Sequence, residues 1–242
     1  MLAVVLLAAL ALPTPAELPT VPRLIQAAEP IYCAGAHGRS FALTFDDGPS
    51  PYTLSLVRVV RRAHARATFF DVGNRVGLWP AGARASSRIG ELGNHTWSHA
   101  RLPGLSAIDA WHELWWTQRT IGRTVGSVPR LFRPPYDEAV STDELLGRQL
   151  GLLDIRWSID GGDARPGANP AATIRTVVPQ LRPGAIVLLH DLHPWTPAVA
   201  RAVLRAARRK GLRAVTVSTL LARQPPSARQ LATQGAERCP VR

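Results

Sequence analysis

Short apolar runs along this chain end, one after another, on residues that can do chemistry. Residues 41–45 run into Asp46 and Asp47, 91–94 into His95, and 131–133 close on Arg133. Residues 152–159 lead to Asp160 and Asp163, and 185–189 lead to His190. Between them lie stretches with helical spacing of apolar residues, at 54–64, 80–89, 106–125, 141–150, 170–181 and 196–210. Buried strands are also expected at 67–72 and 212–217, with a closing turn at 218–221. Strands alternating with helices predict an α/β protein with a mostly parallel sheet. When such a sheet curls into a (β/α) barrel, the C-terminal strand ends share one mouth. The acids, the histidines and the arginine are therefore expected to meet there, as an active site at the C-terminal strand ends.

The chemistry of that mouth is suggested by His95 and His99, four residues apart. On a helical turn this spacing puts two imidazoles on one face. Two imidazoles and one carboxylate are a common protein set for a catalytic zinc, with one position left open. The pair Asp46-Asp47 offers that carboxylate and a second one. A second carboxylate suits a base for the water that such an ion activates. The longest helical stretch, 106–125, opens on Ser106 with Asp109 three residues later, a capping box with Asp in place of Glu or Gln. Trp111 and Trp115 on it are read as a core stripe.

Taken in chain order, these segments resemble the polysaccharide deacetylase family, the NodB-homology carbohydrate esterases. The resemblance spans about residues 40–221. Thr44-Phe45-Asp46-Asp47-Gly48-Pro49 is similar to the first family motif, and Asn94-His95-Thr96-Trp97-Ser98-His99 to the second. Arg133-Pro134-Pro135-Tyr136 resembles the third, Asp160-Gly161-Gly162-Asp163 stands where the fourth belongs, and Leu188-Leu189-His190 resembles the fifth. The resemblance implies a distorted (β/α) barrel and hydrolysis of acetyl groups on amino-sugar polymers, such as peptidoglycan N-acetylglucosamine or chitin oligomers. It implies a divalent metal, zinc before cobalt or another ion, on Asp47, His95 and His99. Asp46 would be the general base, paired with Arg133. His190 would be the general acid, oriented by Asp163, with Asp160 as the alternative partner. The backbone N–H of Tyr136 would stabilise the oxyanion, and Leu188 would line the acetyl-methyl pocket. In one place the chain departs from the family pattern. Ala164 follows the fourth-motif aspartate where the family usually has Trp, so the pocket is either wider or filled by another aromatic such as Trp195. O-deacetylation of xylan or another glycan, and a non-catalytic carbohydrate-binding protein, are the alternative readings.

The organisation expected is an export signal and linker at 1–38, a catalytic domain at 39–222 and a polar, loose tail at 223–242. Residues 2–12 form an apolar run followed by prolines, shaped like a secretory h-region although no basic residue precedes it. That points to a secreted or cell-envelope protein with no stable membrane span once mature; an apolar N-terminal helix is the other reading. Cys33 and Cys239 could then close one disulfide, or remain two thiols. The net charge of +12 comes almost entirely from arginine. Nucleic acid is not the expected partner, because no basic run is interleaved with aromatics. Arg61-Arg62 and Arg208-Arg209-Lys210 fall on the solvent faces of amphipathic stretches.

Overall fold

The computed structural model describes residues 20–27, 29–139, 141–237 and 239. Helix α1 (Thr20–Ala27) comes first, then strand β1 (Ser40–Gly48), α2 (Thr53–Arg62), β2 (Thr68–Asp71), α3 (Gly73–Leu78) and α4 (Pro80–Ile89). Next are β3 (Glu91–Asn94), α5 (Ala107–Val125), β4 (Leu131–Phe132), a 3₁₀ turn (Pro135–Asp137), α6 (Ser141–Gln149) and β5 (Leu153–Asp154). The chain continues through β6 (Ile159–Asp160), α7 (Pro170–Gln180), β7 (Ile186–His190), α8 (Thr196–Arg209), β8 (Arg213–Val215), α9 (Val217–Arg223) and α10 (Ala228–Glu237). The apolar run at 2–12 lies outside the described residues. Among the described residues no helix is long and apolar enough to cross a membrane.

The strands form one sheet in the order β5-β4-β3-β2-β1-β7-β6, with β8 also pairing with β1, and the pairs are parallel. β1 is the centre. It is buried along its whole length, as expected of a parallel strand covered on both faces. In its middle the buried Thr44 side chain donates to the carbonyl of Val187 at 2.7 Å. Helices close the outside with apolar stripes at helical spacing, such as Leu56, Val57 and Val60 on α2 and Val199, Val203 and Ala207 on α8. Their arginine-rich last turns complement the carbonyl ends of the helices.

The run at 152–159 is not one strand. It is split into β5 and β6, which lie at the two ends of the sheet path. The reason is Arg133, whose Nε donates to the carbonyl of Ile155 at 2.9 Å and whose NH2 donates to that of Arg156 at 3.0 Å. Those carbonyls serve a buried guanidinium instead of a ladder. The gap is stitched from the N-terminal side: Ile31 bridges to Ile155 and Cys33 to Ala185. The barrel is therefore distorted, with residues 29–34 inserted between its edges. Val21 and Leu24 of α1 add to a core cluster with Ile31, Phe70 and Ile155.

Three local expectations change. The closing turn is the helix α9, because Thr216 Oγ1 caps it by accepting from the N–H of Thr219. Ser106 caps α5 by accepting from the N–H of Asp109, but Asp109, one methylene shorter than Glu, turns to the Ser106 hydroxyl at 2.6 Å instead of a backbone N–H. The core stripe of α5 is Ala110, Leu114, Thr117, Gln118 and Ile121; Trp111 and Trp115 lie half-buried beside it, stacked at 5.2 Å. Cys33 and Cys239 are bonded, with their Cα atoms 6.1 Å apart.

Candidate active site

A regular strand sends successive side chains to opposite faces, so adjacent aspartates should not share a cleft. β1 solves this with a bulge. Asp46 pairs with Phe70 and Gly48 with Asp71, so Asp47 is the extra residue, and its φ of 66° turns it into the mouth. Asp46 and Asp47 both line a cavity of about 320 Å³, together with His95, His99, Leu188 and His190. Tyr136, Ala164 and Trp157 also face it. Trp195 does not fill the space beside Ala164: it stacks on His193 and packs against the main core.

His95 and His99 do not sit on a helical turn. Residues 95–99 form a loop in which Thr96 and His99 have φ near 63°. The His95 N–H donates to the Asp71 carbonyl at 3.1 Å, and the next three amides are met by side chains rather than a helical ladder. Asn94 Oδ1 accepts from Thr96 N–H at 3.0 Å, and Glu113 Oε2 accepts from Trp97 and Ser98 N–H, each at 2.8 Å. Glu113 is a supporting residue that no local pattern in the sequence marks. Left-handed φ values at Asp47, Thr96, His99, Tyr136 and Asp137 concentrate backbone strain around one cavity.

The Asp47, His95 and His99 groups converge. Asp47 Oδ1 is 3.4 Å from His95 Nε2 and 3.0 Å from His99 Nε2. It is buried and has no hydrogen-bond donor. On the far side of each ring, His95 Nδ1 meets the Arg133 carbonyl at 2.7 Å and His99 Nδ1 meets the Tyr136 hydroxyl at 3.1 Å. The carbonyl can only accept, so the His95 proton sits on Nδ1 and the lone pair of Nε2 faces the carboxylate. An orphaned carboxylate oxygen among imidazole nitrogens is a donor set that fits a divalent cation.

Behind this set lie two fully buried supports. Arg133 donates through NH1 to Asp46 Oδ1 at 2.7 Å and to Thr44 at 2.8 Å. Burial works against the charge of Arg133, and Asp46 works for it. Asp163, not Asp160, meets His190: Oδ1 is 2.8 Å from Nδ1, and Oδ2 accepts the His190 backbone N–H at 2.8 Å. Asp160 instead caps the Gly162 N–H and pairs with Arg165. Burial lowers the His190 pKa, yet Asp163 and the other nearby carboxylates raise it to about 9. Asp191 anchors the loop after β1 through Ser50 and Thr53, and burial pushes its carboxyl up to about 6.

The polysaccharide deacetylase family model matches residues 34–153. The chain is 36% identical over 162 residues to a chitooligosaccharide deacetylase of Bradyrhizobium sp., covering 64% of this chain and 72% of that one. It is 29% identical over 211 residues to the peptidoglycan-N-acetylglucosamine deacetylase PgdA of Listeria monocytogenes. That match covers 86% of this chain and 42% of PgdA, so the chain spans about two fifths of that relative. A family 4 carbohydrate esterase from Streptomyces lividans, solved in complex with acetate, superposes with a TM-score of 0.69 at 32% identity, over 75% of this chain and 92% of that one. With its parallel half-barrel and its ordered motifs, the chain belongs to the polysaccharide deacetylase family.

Proposed function

We propose that this chain is an exported, metal-dependent hydrolase that removes N-acetyl groups from amino-sugar polymers, peptidoglycan N-acetylglucosamine or chitin oligomers. The observation that carries the reading is the buried, donorless Asp47 Oδ1 between two imidazole nitrogens, with a separately supported carboxylate and imidazole beside it. A divalent ion on Asp47, His95 and His99, zinc first, supplies polarisation of the amide carbonyl and a nucleophilic water near neutral pH. Asp46 accepts the proton of the attacking water. Arg133 holds its Oδ1, which leaves Oδ2 toward His95 Nε2 at 3.8 Å. The backbone N–H of Tyr136 donates to the oxyanion. His190 gives a proton to the departing nitrogen, and its raised pKa means it carries that proton at neutral pH. Asp163 fixes the ring, and Leu188 walls the acetyl methyl. The names of the relatives support the substrate class, and the Cys33–Cys239 disulfide supports an oxidising compartment.

The test is acetate release over chitin oligomers, peptidoglycan and acetylxylan, with and without a chelator. The expected result is release from one or both amino-sugar polymers that the chelator abolishes and zinc restores. Release from acetylxylan alone, or from none of the three, overturns the reading.

A further inference from the structure

The two imidazoles of the cluster are held differently. His95 is buried, and a backbone carbonyl fixes its Nδ1. The His99 side chain is partly exposed, and its Nδ1 meets only the hydroxyl of Tyr136, at 3.1 Å. The tyrosine ring also stands edge-on to the His99 ring, with centroids 4.8 Å apart. Tyr136 is itself half-exposed, so burial does not hold it. Contacts hold it instead. The Arg101 guanidinium lies 4.3 Å over its ring, and Glu138 pairs with that guanidinium. Below, Tyr136 and Asp137 both have φ of 62°, a conformation that favours glycine. Arg156 pins that turn, donating to Asp137 O at 2.8 Å and Oδ1 at 2.6 Å.

We propose that the side chain of Tyr136 is a positioning residue for His99. Its phenol oxygen accepts the Nδ1 proton, which leaves the lone pair of Nε2 facing Asp47, and Arg101 with Glu138 keeps the ring in place. This is separate from any use of the Tyr136 backbone N–H, and it rests on the reading of Asp47, His95 and His99 as a metal set. Partners of this kind typically contribute 10–100-fold to metal affinity.

Zinc affinity of the metal-stripped full chain, measured by competition with a chromophoric chelator, is the test. Tyr136→Phe keeps the ring, the Arg101 contact and the backbone, and removes only the hydroxyl. Its zinc Kd is expected to rise about 10–100-fold, while the thermal midpoint of the metal-free protein stays at the wild-type value. Arg101→Met leaves the hydroxyl but frees the ring, and is expected to weaken zinc binding by a smaller factor. If both variants bind zinc within twofold of wild type, the proposal is overturned. Failure of the metal-set reading looks different, because wild-type protein would then bind no zinc. A wild type that binds zinc but releases no acetate overturns the proposed reaction and leaves the positioning role to be read from the same titration.

Discussion

Asp163 grips His190 at two points, the ring and the backbone N–H, so its carboxylate both aims the imidazole and favours its charged form. The consequence is a pH dependence with a definite sign. With the His190 pKa raised to about 9, the proposed acid is protonated below that pH and its proton is lost as pH rises through it. Asp163→Asn removes the largest raising partner and leaves only Asp46 and Asp47 against the burial that lowers the pKa. The alkaline limb of kcat/KM should therefore move down, toward the ordinary histidine value of about 6.5 or below. A pH–rate profile of the two proteins decides it; an alkaline limb that stays in place means that another group supplies the proton. At this scale most of the cavity was legible in the sequence. Asp46, Asp47, His95, His99, Tyr136, Leu188 and His190 do line one cleft, and Arg133 and Asp163 do stand behind it. Asp163 was the expected partner of His190, and it is the one that reaches the imidazole; Asp160 stayed open as the alternative because both stand beside glycines and the turn geometry decides between them.

The elements carry devices that residue types alone do not announce. A bulge in β1 lets neighbouring aspartates face one cavity, and a loop, not a helical turn, presents the histidine pair. That loop depends on Glu113 of α5, whose carboxylate takes two amides and the Ser98 hydroxyl. Hydrogen bonds to a charged group contribute about 1.5–3 kcal/mol each. Glu113→Ala is therefore expected to weaken zinc binding by roughly 10-fold or more, with the helix content of the protein unchanged by circular dichroism. Unaltered zinc affinity in that variant would show that the loop holds its shape without the carboxylate. Alternating runs made the parallel sheet readable, and nearly every helix and strand expected has a counterpart. What escaped were long-range effects. The split of 152–159 is imposed by a guanidinium that enters from β4's end, and Glu113 lies 15 residues beyond the serine hydroxyl it holds.

Across the whole molecule, the open side of the half-barrel is bridged by segments far apart in the chain. Residues 29–34 fill the seam between the sheet's edges, and the Cys33–Cys239 bond, spanning 206 residues, ties that seam to the end of the chain. In the chain-entropy model a loop of this size stabilises by about 5 kcal/mol, with engineered cases often giving less. Cys33→Ser together with Cys239→Ser should lower the denaturation midpoint clearly, and reductant should do the same to the wild type. A denaturation curve indifferent to reductant contradicts the staple. The central claim is that this fold assembles a metal set and, beside it, a separate proton acceptor. Zinc content and acetate release from N-acetylglucosamine oligomers, measured together on the wild type and Asp46→Asn, test it most directly. The account predicts equal zinc in both proteins and acetate release slower by about 10²–10⁴ in the variant. Near-normal release from zinc-loaded Asp46→Asn would contradict it.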